Sequence, residues 1–153
     1  MASARATQTI DTATGLARRG PGKLVLIAGG GIAGLAAALA LSGRGISSHV
    51  LEQRGSFAEE GAGIQIGPNG TRILGELGVS ATLEPLVAKP DALRVMDATT
   101  GRQIARLPLG RWIEERHGAA YWTAHRADLH AALVKHACEA SFVRLSMGVE
   151  GSA

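Results

Sequence analysis

Leu24 to Ala28 is a continuous apolar run that ends at three successive glycines. A short run of this kind predicts a strand buried on both faces, as parallel strands are. Leu35-Ala36-Ala37-Ala38-Leu39-Ala40-Leu41 follows, built from the two strongest helix formers. That helix is expected to stop at Gly43-Arg44-Gly45, after which Ile46 to Leu51 reads as a second strand with Glu52 at its C-terminal end. Strand, glycine turn, helix and strand fill residues 23–52, roughly the 30 residues of one βαβ unit.

Residues 55–70 read as a Gly-rich loop, with Asn69 placed to cap a helix that runs through Leu77 and stops at Gly78. Leu93 and Val95, then Ile104 and Leu107, flank Asp97-Ala98-Thr99-Thr100-Gly101, the pattern of an antiparallel hairpin that need not join the parallel sheet. Ala127 to Ala140 carries apolar residues at helical spacing, and Phe142, Val143, Leu145 and Met147 predict a last strand. The expected fold is therefore α/β. Its parallel, Rossmann-like sheet takes strands 24–28, 46–51 and 142–147, with a β-hairpin excursion over about 89–122.

Composition adds limits. Of the 153 residues 46% are apolar, enough for a core, and the 21 glycines follow no every-third-residue period. The formal charge is +3, but Arg5, Arg18 and Arg19 against Asp11 place two of those charges in residues 1–22. No clustered basic face for nucleic acid is implied, and Trp112, Tyr121 and Trp122 are too few for a base-stacking platform. Residues 1–22, rich in Ala, Thr and Arg and closed by Gly20-Pro21-Gly22, read as a disordered leader; their low acid content also resembles an organelle transit peptide, without the amphipathic stripe. The single cysteine, Cys138, rules out an intrachain disulfide and fits a reducing cytoplasm. No apolar stretch reaches the roughly 20 residues of a bilayer span.

The glycines carry the chemistry. Gly29, Gly31 and Gly34 fit G-x-G-x-x-G, and the motif sits between a strand and a helix. In that setting Gly29 permits a tight turn, Gly31 lets backbone approach a pyrophosphate, and Gly34 lets the helix lie against the sheet. The helix N-terminus offers N–H groups to the phosphates, and Glu52 can accept from a ribose hydroxyl. These residues alone leave FAD, NAD and NADP open, and Arg54 is placed to meet a 2′-phosphate. A turn that merely joins two core elements is the plainer alternative.

Four motifs in one order narrow the choice. They are Leu26-Ile27-Ala28-Gly29-Gly30-Gly31-Ile32-Ala33-Gly34-Leu35, Val50-Leu51-Glu52-Gln53-Arg54, Gly61-Ala62-Gly63-Ile64-Gln65 with Pro68-Asn69, and His125-Arg126-Ala127-Asp128-Leu129. Over residues 23–147 the chain resembles the N-terminal part of FAD-dependent aromatic hydroxylases of the salicylate hydroxylase and para-hydroxybenzoate hydroxylase type. The resemblance implies that Gly29, Gly31 and Gly34 hold the FAD pyrophosphate and that Glu52 holds the adenosine ribose with Arg54 beside it. It also implies that the Gly61-Ala62-Gly63 loop approaches the flavin and that Arg126 reaches the phosphate or ribityl region. The implied reaction hydroxylates a small aromatic substrate with NAD(P)H and O2.

The family's later Gly-Asp and Asp-Gly motifs are missing, since neither dipeptide occurs. Residues 23–153 are accordingly expected to be an incomplete FAD-binding domain, its excursion reaching toward a substrate domain, and to be inactive alone. An NAD(P)-dependent dehydrogenase and a non-catalytic nucleotide-binding fragment stand as alternatives. The five histidines lack ligand spacing for a metal, and Cys138 reads as a core residue. Arg126, at a helix start, gains nothing from the helix dipole, so a bound anion suits it; a surface pair with Asp128 is the plainer reading.

Overall fold

In the computed structural model, residues 9–10, 24–57 and 61–149 are described. The chain divides into two units, one comprising Met1–Glu60 with Leu129–Ala153 and the other Gly61–Asp128.

The first unit is built on strands β1 (Thr9–Ile10), β2 (Val25–Ala28), β3 (Ser48–Glu52) and β8 (Val143–Met147), in the order β1-β8-β3-β2. β2 pairs parallel with β3, and β3 parallel with β8, as the apolar runs predict. β1 lies antiparallel against β8; the rest of the proposed leader falls outside the described residues. Helix α1 (Ile32–Ser42) connects β2 to β3, and helix α5 (Arg126–Glu139) leads into β8. Leu35 and Ala38 of α1, Val50 of β3, Leu133 and Ala137 of α5 and Leu145 of β8 are fully buried and form the core.

The expectation that the first strand is buried on both faces is corrected. Leu24 and Leu26 are 55% and 64% exposed, and burial alternates along β2. Continuous apolarity cannot report what covers a face, and β2 is the edge of the sheet among the described residues.

The second unit holds two small antiparallel sheets. β4 (Gly63–Ile66) pairs with β7 (Trp122–His125), so the stretch read as an uninterrupted Gly-rich loop contains a strand. β5 (Ala92–Met96) and β6 (Gln103–Pro108) form the expected hairpin, separate from the parallel sheet. Helix α2 (Pro68–Glu76) starts one position before Asn69. Gly67 is its N-cap and Pro68 fills the first turn, where the missing N–H costs nothing. The short helix α3 (Ser80–Leu83) and helix α4 (Gly110–His117) complete the unit, whose buried side chains include Leu74, Val79, Leu83, Ile113 and Trp122.

Candidate functional site

The glycine turn joins β2 to α1. Gly29 has φ +98°, a conformation that side chains disfavour, and its N–H donates to the Leu51 carbonyl at 2.8 Å. A Cβ on Gly34 would collide with the Gly29 carbonyl oxygen, which fixes why the helix needs glycine there. Around Gly31 the opposite holds: a Cβ would meet nothing within 4 Å. Gly31 is also the N-cap of α1, which has no side-chain cap and no acid in its first turn. The N–H groups at that helix end are thus left to an outside acceptor, with the positive dipole end behind them. A pyrophosphate supplies such acceptors.

Glu52 reaches the turn from the end of β3. Its Oε2 accepts from the Gly30 N–H at 2.7 Å and its Oε1 from the Arg54 N–H at 2.9 Å. Partial burial pushes its carboxyl upward, but the Arg54 and Gly30 amides and the Arg54 charge prevail and hold it below the usual glutamate range. The carboxylate therefore stays ionised, and each oxygen keeps a further lone pair for a hydroxyl donor. Backbone bonds from Gly148 N–H to the Arg54 carbonyl and from Val149 N–H to the Glu52 carbonyl fasten this corner.

Two side chains that the sequence did not single out complete the turn. His130, only 3% exposed, places Nε2 2.7 Å from the Gly30 carbonyl oxygen. The Phe57 ring lies 5.8 Å from the His130 ring, and its Cε1 would be 2.6 Å from a Cβ on Gly30. The sequence signal for His130 is a polar residue inside the buried stripe of Leu129, Ala132 and Leu133.

In the second unit, pairing of β4 with β7 sets Gly63 opposite His125 and brings the Gly61-Ala62-Gly63 loop beside Arg126. The Arg126 N–H donates to the Ala62 carbonyl at 3.3 Å, and a Cβ on Gly61 would stand 2.8 Å from Arg126 Cβ. Gly61, rather than Gly63, is thus the close-approach glycine against Arg126. Trp122 is buried, and Lys89 Nζ lies 6.0 Å from its ring centre. The Cys138 thiol is pushed up by burial and by the Glu139 charge, which disfavours the thiolate a nucleophile needs.

Residues 23–152 match the family described as FAD binding domain. The chain belongs to that family. It is 44% identical over 115 residues to a 3-hydroxybenzoate 6-hydroxylase of Polaromonas naphthalenivorans (strain CJ2), covering 75% of this chain and 29% of the relative. Among solved structures it is similar to the tetrameric form of 2-methyl-3-hydroxypyridine-5-carboxylic acid oxygenase, with TM-score 0.72 and 27% identity, covering 86% of this chain and 33% of that one. A Klebsiella pneumoniae HpxO variant complexed with FAD gives TM-score 0.70 at 26% identity, covering 86% and 34%. The chain thus spans about a third or less of the length of these relatives. The glycine turn, the open approach at Gly31 and the uncapped start of α1 fit the pyrophosphate of the family's cofactor. Among the described residues, no helix is long and apolar enough to cross a membrane, and no three His, Cys, Asp or Glu side chains gather as a metal ion requires.

Proposed function

We propose that this chain is the FAD-binding portion of a flavin-dependent monooxygenase that hydroxylates a small aromatic substrate with NAD(P)H and O2. The observation that carries the reading is the glycine turn, closed at Gly34 and open at Gly31 above an uncapped helix end. In the first unit Gly29, Gly31 and Gly34 bring backbone to the FAD pyrophosphate, Glu52 takes the adenosine ribose, and Arg54 stands beside it. In the second unit Gly63 and Arg126 contact the cofactor. FAD, once bound, supplies the redox chemistry; the protein binds and orients it.

Relatives named for a hydroxybenzoate and for a hydroxypyridine carboxylic acid support a hydroxy-substituted aromatic acid as the substrate class. The 153-residue chain provides cofactor contacts and not the whole activity, and a reducing cytoplasm suits its one thiol.

Titration of the protein with FAD, NAD and NADP, followed by flavin fluorescence and calorimetry, tests the reading. FAD binding in preference to both nicotinamides is expected, and preference for NAD or NADP overturns it. Incubation with FAD, NADH or NADPH and a panel of hydroxybenzoates is expected to give no hydroxylated product. Steady product formation would show a self-sufficient enzyme.

A further inference from the structure

Three backbone polar groups of the turn are each held by a particular partner. The Gly29 N–H is held by Leu51, the Gly30 N–H by the Glu52 carboxylate, and the Gly30 carbonyl by His130. Phe57 closes the Cα side of Gly30, where even a methyl group would collide with its ring. A carbonyl oxygen only accepts, so His130 Nε2 is the donor and the imidazole carries its proton there. The peptide plane joining Gly30 to Gly31 is trans, with C=O and N–H on opposite sides. Fastening the Gly30 carbonyl to His130 therefore turns the Gly31 N–H to the opposite side of the peptide, away from His130, at the N-cap of α1, which has no side-chain cap.

We infer that His130 is a positioning residue for cofactor binding: by holding the Gly30 carbonyl it presets the Gly31 N–H toward the incoming phosphates. The inference rests on the FAD reading above. Its chemistry is preorganisation, since a peptide that rotates freely must be ordered when ligand arrives and a fixed one is ready beforehand. An imidazole on a helix suits the task because it reaches with few rotatable bonds and stays put once buried.

The test compares the parent with His130→Leu and His130→Gln. Leucine fills similar space without a donor, whereas the glutamine amide places an N–H near the position of Nε2. Titration with FAD is expected to give a Kd about tenfold weaker for His130→Leu and within a factor of about three of the parent for His130→Gln, with rescue marking the hydrogen bond. Long-range 1H–15N spectra of the ligand-free parent are expected to show the Nε2–H tautomer, and the Gly31 amide 15N resonance is expected to move upfield in His130→Leu, because the nitrogen of a peptide senses the hydrogen bond that its own carbonyl, here that of Gly30, accepts. Equal FAD affinity in parent and His130→Leu, equal losses in both variants, or an Nδ1–H tautomer would each overturn the inference. If the parent binds no FAD, the functional reading falls, and the Gly31 15N shift with the tautomer decides whether His130 holds the turn. If His130→Leu does not fold, the tautomer and the affinity of His130→Gln decide it.

Discussion

The Gly29 carbonyl oxygen occupies the space that a Cβ on Gly34 would need. α1 is thereby held closer to the turn than any other residue at position 34 allows, and the obstacle is backbone, which cannot swing aside. Gly34→Ala is expected to cost about 2–3 kcal/mol of stability, in the range of overpacked sites. Urea unfolding followed by circular dichroism measures it, and a parent-like midpoint would contradict the close approach.

Gly31→Val should behave in the opposite way. Its Cβ meets nothing within 4 Å, and φ −76°, ψ −178° is a backbone conformation that valine adopts readily. Stability is expected to fall by no more than about 1 kcal/mol, since valine is a poorer N-cap than glycine, while FAD affinity falls by a few kcal/mol at about 1.4 kcal/mol per tenfold. Paired unfolding and flavin titrations separate the two effects, and unaltered FAD affinity would contradict the role of Gly31.

Glu52 makes the first unit sensitive to acid. Its folded carboxyl lies below the ordinary glutamate range, so the stability it contributes is complete above that range and is lost as pH falls through the folded value. Glu52→Gln keeps an acceptor for only one of the two amides and is expected to cost about 1 kcal/mol at neutral pH. The gap between the two unfolding curves should shrink on acidification. A gap that does not change with pH would show that the charge contributes nothing.

Arg126 is exposed, opens α5 and packs its Cβ against Gly61. A guanidinium presents a planar set of donors that an ammonium does not. Arg126→Lys is therefore expected to weaken FAD binding by roughly tenfold although charge is kept, and Arg126→Ala by more. FAD titrations that give one Kd for all three proteins would assign Arg126 a surface role.

The βαβ unit was legible because its signals are local: an apolar run, a glycine motif and an Ala-Leu helix follow one another directly. The β5–β6 hairpin and α5 were legible for the same reason. β4 was not, since what makes Gly63–Ile66 a strand is its partner Trp122–His125, far along the chain. The exposure of Leu26 was hidden because residue type states a preference for burial and not the presence of a cover. Within the site, the glycine spacing and Glu52 could be read directly. The partners that aim the turn, Phe57 and His130, come from a loop and a distant helix, and only folding brings them to Gly30.

The parallel pairing of Ser48 with Val143 imposes an order on biosynthesis. Gly61–Asp128 leaves the ribosome while β3 still lacks its inner neighbour, so the interposed unit has every residue it needs before the outer one does. The turn-bearing unit is consequently the last to close. Until β8 is translated, β3 has β2 and α1 beside it but presents an unpaired edge on its other side, the kind of exposed strand edge at which misassembly begins.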